Sequence, residues 1–380
     1  MHVVRWLIVA GAAAPLAYYA VAIVCALACF RRPAREVSGF SPPVSVLKPV
    51  RGLSRETHRN LASFCRQQYP QYELLFCVDH ARDPAVPLIR GLMAEFPDLP
   101  IRLWLEAPAA GTNNKVVKLC RLAGEASYDL LVASDDDIRV QPDYLRRVVA
   151  PFADPRVGAV TCLYRGLTES SFWSQLEDAA LTSNFLPGAL LAWTFGLRFA
   201  LGATMAVRRQ ALDEIGGFAS LADAAADDHA LGHRLAARGF RVELARALVE
   251  TECRSRSLAE YWRHLLRWAV VTRESQPLGH LGFLFAQGLP WTIAVVALAP
   301  WRISAGCVAA YLALRFGVAF TVGVWGLGDP VLRRKWWLAL AADALGFAVW
   351  LASLAARRVV WQGSAYEVRR GRLIPVEKTP

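Results

Sequence analysis

The sequence predicts an α/β domain with a Rossmann-like, mostly parallel sheet, held between N-terminal and C-terminal apolar helices of membrane length. Three observations predict it. Uncharged runs stand near both ends, the block between them alternates short apolar strands with helices, and acidic residues directly follow two of those strands. At 380 residues the chain exceeds one ordinary domain, and 55% hydrophobic content with a mean hydropathy of +0.28 exceeds what a soluble enzyme needs.

Residues 7–30 carry no charge, enough for a helix that needs about 20 residues to span a bilayer. Arg31, Arg32 and Arg35 follow this run and only Arg5 precedes it, so the positive-inside tendency places the N-terminus outside and the next segment in the cytoplasm. A cleaved signal peptide is the other reading, with Ala26-Leu27-Ala28-Cys29 resembling a lipoprotein cleavage site. The run is longer than the usual apolar region of about 7 to 15 residues, and basic residues follow it. The eight cysteines are scattered without a Cys-x-x-Cys pair, which suggests neither zinc nor a disulfide framework and agrees with a cytosolic domain.

Residues 41–275 form the α/β block. Strands are expected at 44–47, 72–78, 101–105 and 129–133, and helices at 56–67, 85–95 and 115–125. In such sheets ligands sit at the carboxyl ends of strands. Asp79 ends the second strand and Asp135 the fourth, so both open onto one crevice. A strand-terminal Asp is also ordinary turn chemistry, and Asp83 competes in the same loop.

The run Asp135-Asp136-Asp137 is the sharpest acidic station. On a continuing strand Asp135 and Asp137 share a face, about 6 to 7 Å apart. Like charges that close favour a cation between them, and an all-oxygen site suits Mg2+ or Mn2+, which could in turn hold a diphosphate. A polar strand end or helix cap is the plainer reading of a lone D-x-D. The loop Gly111-Thr112-Asn113-Asn114-Lys115 precedes a helix and could wrap a nucleotide with backbone N–H groups and the Lys115 cation, although it is not a Walker loop.

Asp228 opens a helix at Ala226-Asp227-Asp228-His229-Ala230-Leu231, where the dipole favours negative charge. It is the candidate general base for an acceptor hydroxyl. His229 and His233 are spaced i, i+4 but lack a third ligand. Further on, Tyr261-Trp262-Arg263-His264-Leu265-Leu266-Arg267-Trp268 has the spacing of an amphipathic helix. An interfacial anchor explains that composition. The functional reading makes Arg267 and His264 donors to a departing diphosphate, with Trp268 stacking beside the acceptor.

Residues 276–380 hold apolar stretches at 281–301, 304–327 and 336–355 and a basic tail. Gln287, Pro290, Arg315 and Asp343 interrupt them, and polar groups in lipid normally face a partner helix or a cavity. An Arg315 to Asp343 pair is one reading and a headgroup-level Arg315 the other. Three full crossings would leave Arg357, Arg358, Arg369, Arg370 and Arg372 outside. A re-entrant segment at 281–301, broken at Pro290, restores the parity and puts Arg333, Arg334 and Lys335 outside. The expectation is a multi-pass protein of the inner (plasma) membrane with a cytoplasmic catalytic domain. The net charge of +11 would hold that domain on anionic lipid, so nucleic acid is not needed as a partner.

Asp79, Asp135 and Asp137, Asp228, and Arg267-Trp268 together resemble the D, D, D, (Q/R)-x-x-R-W signature of processive and lipid-directed family 2 glycosyltransferases. The nearest resemblance is to the ceramide glucosyltransferase group, through Val44-Ser45-Val46-Leu47-Lys48-Pro49, Asp83-Pro84-Ala85 and Asp137-Ile138-Arg139-Val140. Within it, Val160-Thr161-Cys162-Leu163-Tyr164-Arg165-Gly166, Gly202-Ala203-Thr204 and Trp262-Arg263-His264 are most similar to the hopanoid biosynthesis-associated branch. The resemblance runs from about residue 40 to 372.

The resemblance implies a GT-A fold and an inverting transfer of a hexose or N-acetylhexosamine from a UDP-sugar to a lipid alcohol, a hopanoid or ceramide. Carried over by position, Asp79 would bind the uridine, Asp135 and Asp137 the ribose, diphosphate and Mg2+ or Mn2+, and Asp228 would be the base. Arg267 and Trp268 would close the site near the leaving group. Two positions depart from the pattern. His264 stands where the signature has Gln or Arg, with Arg263 as a substitute donor, and Asp79 falls one place early, which brings in His80. A polysaccharide synthase shares the signature but needs more helices for a channel. A transporter or scaffold using Arg315 and Asp343 is the rival from another class, and dolichyl-phosphate-type transfer is a third.

Overall fold

The computed structural model describes residues 2–32, 39–106, 111–168, 171–361 and 364–376. Arg35, one of the basic residues expected to orient the first helix, lies outside them.

The strands are β1 (Val44–Pro49), β2 (Tyr72–Cys77), β3 (Ile101–Trp104), β4 (Leu130–Ala133), β5 (Ile138–Arg139), β6 (Val157–Thr168), β7 (Met205–Arg208) and β8 (Arg241–Cys253). They form one sheet in the order β3-β2-β1-β4-β7-β6-β8-β5. The run β3-β2-β1-β4 is parallel, with helices Thr57–Cys65, Ala85–Glu95 and Asn114–Glu125 along the connections. Every residue of β1 and β2 is buried, the mark of central parallel strands covered on both faces. β7 then pairs antiparallel with both β4 and β6, β6 and β8 run parallel, and β5 closes the far edge.

A core lies on each face. Leu47, Leu75, Leu131, Val116, Leu119, Leu231 and Leu235 fill one. Val44, Val46, Leu61, Phe64, Leu74 and Ile89 begin the other, which continues into Tyr19, Ala22, Ala26, Tyr311, Val318 and Val322. The domain therefore shares one continuous core with the apolar segments that carry Tyr19 and Tyr311, whereas Leu338, Ala339 and Ala342 lie in a separate cluster with Leu176, Ala179 and Tyr261.

Three helices are long and apolar enough to cross a membrane: His2–Arg31, Trp301–Gly326 and Leu338–Ala355. Pro277–Ala286 and Gly288–Leu298, bent by 50° at their junction, form a fourth candidate. That bend falls at Gln287 and not at Pro290, as the sequence suggested. Pro290 sits in the first turn of Gly288–Leu298, where a missing N–H breaks no helical bond.

Contacts set the helix directions. Phe30 meets Trp325 with ring centroids 6.1 Å apart, Ile23 faces Gly317, and Tyr19 meets Tyr311, so His2–Arg31 and Trp301–Gly326 run the same way. Gly288 N donates to Tyr19 Oη at 3.0 Å and Trp291 lies over Gly11, so the helix from Gly288 runs the opposite way.

Both ends of Leu338–Ala355 return to the α/β domain. Ahead of it, Lys335 Nζ donates to Gln175 Oε1 at 2.6 Å, Trp337 stacks on Phe172, and Arg165 donates to the carbonyls of Leu327 and Gly328. At its other end Arg273 donates to the carbonyl of Ser353. The segment carrying Arg333, Arg334 and Lys335, expected on the side away from the domain, instead packs against it.

Besides β5 to β8, the sequence did not announce two further features. Between β6 and β7, Leu186–Thr194 packs beside His2–Arg31, while Phe172–Ala180 packs on β6 and on Leu338–Ala355, with Leu181–Phe185 joining the two. The basic tail is folded: β9 (Arg358–Trp361), β10 (Ser364–Arg369) and β11 (Arg372–Pro375) form an antiparallel sheet. Its Val359, Tyr366, Val368 and Leu373 pack on Val270 of helix Leu258–Ser275.

Candidate active site

The site stands where β1, β2 and β4 end side by side. Lys48 of β1 is fully buried between the two acidic stations, with its ammonium 2.5 Å from the Asp135 carbonyl and 3.9 Å above the Phe64 ring. Burial pulls its pKa down to about 8 against the pull of Asp136, Asp135 and Asp137. Asp79 follows β2 and is held by Lys118 Nζ at 2.8 Å and Arg51 Nε at 3.4 Å. Lys118 also donates to the Val50 carbonyl at 2.9 Å. His80, beside Asp79, is exposed. Asp83 organises its loop instead, accepting from Gly52 N at 3.0 Å and Ala85 N at 2.8 Å.

The spacing of Asp135 and Asp137 suggested one shared strand face, but the strand does not continue that far. β4 stops at Ala133, Ser134 N makes one last bond to the Leu47 carbonyl, and Asp136 and Asp137 form a turn. The turn is required because the chain must leave for β5, at the far edge of the sheet. Asp136 is held by Arg51 N at 3.0 Å and Arg254 Nη2 at 3.5 Å. Burial, then Asp136 and Asp135, push Asp137 up to about 7, although Arg254 and Lys48 oppose them.

Lys115 supplies the central cation. Asn113 caps its helix by accepting from Lys115 N and Val116 N, and the Lys115 ammonium reaches Asp135 Oδ1 at 2.9 Å and Asp227 Oδ2 at 3.1 Å. Burial opposes the Lys115 charge, but Asp135, Asp227 and Asp228 outweigh it and raise its pKa above the ordinary value. Burial likewise raises Asp135, and Lys115 limits the shift. Asp227, which the sequence reading passed over for its neighbour, thus completes the pair around Lys115.

Asp228 is brought in by topology. Met205 of β7 pairs with Ala133 of β4, so the residues preceding β7 lie beside Asp135. There Gly202 N donates to Asp228 Oδ2 at 2.8 Å, while His229 N donates to Oδ1 at 2.7 Å. Burial and Asp227 push Asp228 up to about 6, with Lys115 holding it down. A carboxylate poised near that value suits general-base work. His229 stacks between Phe199 and His233, and among the described residues no group of three or more His, Cys, Asp or Glu side chains converges as a metal cage.

Helix Leu258–Ser275 is opened by Ser257, whose side chain accepts from Glu260 N, and it turns Arg267 toward the acidic site. Arg267 feels Asp135 and Asp227, although burial brings its pKa down to about 10. Its guanidinium lies 5.5 Å over the Trp361 ring. Trp268 packs edge-on to Phe185 at 5.4 Å, between the helix and the segment beside the apolar helices. His264 turns elsewhere, toward Glu177 at 3.6 Å, and burial followed by Arg267 lowers its pKa. Arg263 is exposed and donates to its own helix at Ala259, so it does not replace His264 at the site.

Parallel strands ending in carboxylates, beside an antiparallel β7 that feeds a further carboxylate, define the GT-A fold. The chain belongs to glycosyl transferase family 21, whose model matches residues 7–374. It is 25% identical over 237 residues to ceramide glucosyltransferase 1 of Caenorhabditis elegans, covering 62% of this chain and 51% of that one. It is 26% identical over 234 residues to the beta-monoglucosyldiacylglycerol synthase of Synechocystis sp., covering 60% and 47%. The chain spans about half the length of these curated relatives. A mannosyltransferase from Pyrobaculum calidifontis, solved with GDP-Man and Mn2+, is similar with a TM-score of 0.51 and 19% identity, over 91% of this chain and 99% of that one. That likeness is one of fold. The resemblance to the ceramide glucosyltransferase group is borne out, while the hopanoid branch rests on the sequence motifs alone.

Proposed function

We propose that the protein is a membrane-bound inverting glycosyltransferase that moves a hexose or N-acetylhexosamine from a UDP-sugar to a lipid alcohol, a hopanoid or ceramide. The observation that carries this reading is the meeting of Asp228, Asp135 and Lys115 around Gly202, beneath a helix that also bears Arg267 and Trp268. In this reading Asp79 binds the uridine, Asp135 the ribose and diphosphate, and Arg267 the diphosphate as it leaves. The acceptor oxygen attacks the anomeric carbon as the bond to the diphosphate breaks, and Asp228 takes the hydroxyl proton. One displacement inverts that centre. Trp268 and Phe185 form the apolar side, where a lipid hydroxyl enters laterally from the membrane. His264 supports Trp268 at a ring distance of 5.1 Å and does not itself donate to the diphosphate.

Asp135 and Asp137 fit a Mg2+ or Mn2+ ion, because both are half-buried carboxylates flanking Asp136 and carboxylate oxygens are the ligands those ions take. With no three-residue cage among the described side chains, the remaining oxygens would come from the diphosphate, as is usual for Mg2+. Such an ion would stabilise charge on the departing diphosphate.

For the membrane, we read His2–Arg31, the broken pair from Pro277 and Trp301–Gly326 as three crossings and Leu338–Ala355 as lying along the domain side. The N-terminus is then outside, and Arg31, Arg32, Arg333, Arg334, Lys335 and the tail are all cytoplasmic with the domain. That arrangement supports an inner-membrane location and obeys the positive-inside rule without a re-entrant loop.

The test is to incubate detergent-solubilised protein and Asp228→Asn with Mg2+ or Mn2+, a panel of UDP-sugars, and hopanoid polyol or ceramide, reading products by mass spectrometry. The expected result is a lipid gaining one sugar with the wild type only. No product and no UDP-sugar binding would overturn the reading.

A further inference from the structure

The C-terminal strands fold back over the site. Leu373 N donates to the Asp223 carbonyl at 2.9 Å and Ala225 N donates to the Gly371 carbonyl at 2.8 Å, so the edge of β11 pairs with the loop ahead of Asp227 and Asp228. Arg372 Nη2 reaches Asp223 Oδ2 at 2.6 Å. The same edge holds the loop ahead of Lys115, since Thr112 Oγ1 lies 3.1 Å from the Leu373 carbonyl and 3.2 Å from Asp223 Oδ1. In the turn between β10 and β11, Arg370 N donates to Glu274 at 3.2 Å, and on the opposite edge strand, β9, Trp361 lies under the Arg267 guanidinium.

These contacts join the elements that must be mutually placed for the site to form. The two loops lead directly into Lys115 and into Asp227 and Asp228, and neither loop is a strand of the main sheet. Helix Leu258–Ser275 supplies Arg267. The small sheet packs in a cluster of its own and adds no residue to the two cores of the α/β domain, so its contribution falls on the site. An indole face is a good seat for a guanidinium, which is weakly hydrated and planar.

We propose that the C-terminal sheet is a positioning part of the donor site, with Arg372 and Thr112 fastening the two loops around Lys115 and Trp361 aiming the Arg267 guanidinium at the leaving diphosphate. The role of Arg267 rests on the glycosyl-transfer reading; the fastening of the loops does not.

The experiment compares full-length wild type, Trp361→Ala, Trp361→Phe, the double variant Thr112→Val/Arg372→Ala, and Arg369→Ala as a control on the same sheet. Initial rates are varied separately in UDP-sugar and in lipid, and hydrogen exchange is followed in peptides covering the 111–118 and 223–230 loops. Trp361→Ala is expected to lower kcat/KM for the donor about tenfold with the lipid KM unchanged, and Trp361→Phe to recover to within about threefold of wild type. The double variant should speed exchange in both loops and raise the donor KM, while Arg369→Ala matches wild type. A lipid KM that rises along with the donor loss, or no recovery with Phe, would mark a structural role and overturn the proposal for Trp361. If the wild type transfers no sugar, the exchange data still decide the fastening: unchanged loops in the double variant overturn it.

Discussion

The Oδ2 atoms of Asp228 and Asp135 approach one point, 3.3 and 3.4 Å from where a Cβ would stand on Gly202. The Lys115 ammonium lies 3.4 Å from the same point. A methyl group there would press on three charged tips at once. Gly202→Ala is therefore expected to lower turnover about tenfold or more, because small misplacements of reacting groups are costly, while the thermal unfolding midpoint moves little. Steady-state rates and an unfolding scan check both halves, and full activity would show that the three groups need not meet there.

The base assignment has a pH signature. With Asp228 near 6, its carboxylate form is filled above that value and lost below it. The free-enzyme kcat/KM is expected to be level above about pH 6 and to fall about tenfold per unit below it. Lys115→Met removes the cation that holds Asp228 down, so the midpoint should rise. A midpoint that stays in place would show that another group sets the acid limb.

Arg315 ties the apolar helices to the domain. It is 1% exposed, its Nε lies 2.8 Å from Asp343 Oδ2, and its Nη atoms reach Ser183 and Asn184, one residue before Phe185. Tyr311 Oη donates to Asp343 at 2.7 Å. Removing one partner strands the other, so Arg315→Ala or Asp343→Ala should cost about 3 to 5 kcal/mol. A paired Arg315→Leu/Asp343→Leu change should recover part of the loss in thermal unfolding in detergent.

Membrane sidedness separates the two topologies. Single cysteines replacing Arg334 and Arg358, in a background without the native cysteines, should both react with an impermeant maleimide only in membranes that expose the α/β domain. Labelling of the Arg334 site from the opposite face would restore the re-entrant arrangement at 281–301.

Much of this was legible in the residues. Strands such as β1 and β2 are read from unbroken apolar runs, because burial on both faces leaves few alternatives, and Asp79, Asp135 and Asp228 stand out because carboxylates after such runs need a reason. The two lysines that hold Asp79 and the Asp135 carbonyl carried no such signal. Lys118 looks like any helix surface lysine, and Lys48 like a strand-end charge, until parallel pairing sets β1 between β2 and β4. Gly202 and Asp227 stood in the motifs without their roles being legible, since a glycine's close approach and the choice between adjacent carboxylates depend on what the fold brings alongside.

The sequence by itself determined the order of the first four strands and the helices between them, the acidic stations and the apolar segments, since each depends on local pattern and burial period. The tertiary structure decided which charges meet and which apolar helix stays with the domain. The turn at Asp136, the return of Leu338–Ala355 to Gln175 and Arg273, and the closure of β11 over Asp223 all arise from contacts between residues far apart in the chain. Composition alone gives helices of similar hydropathy the same reading, whereas the side chains each one packs against distinguish them.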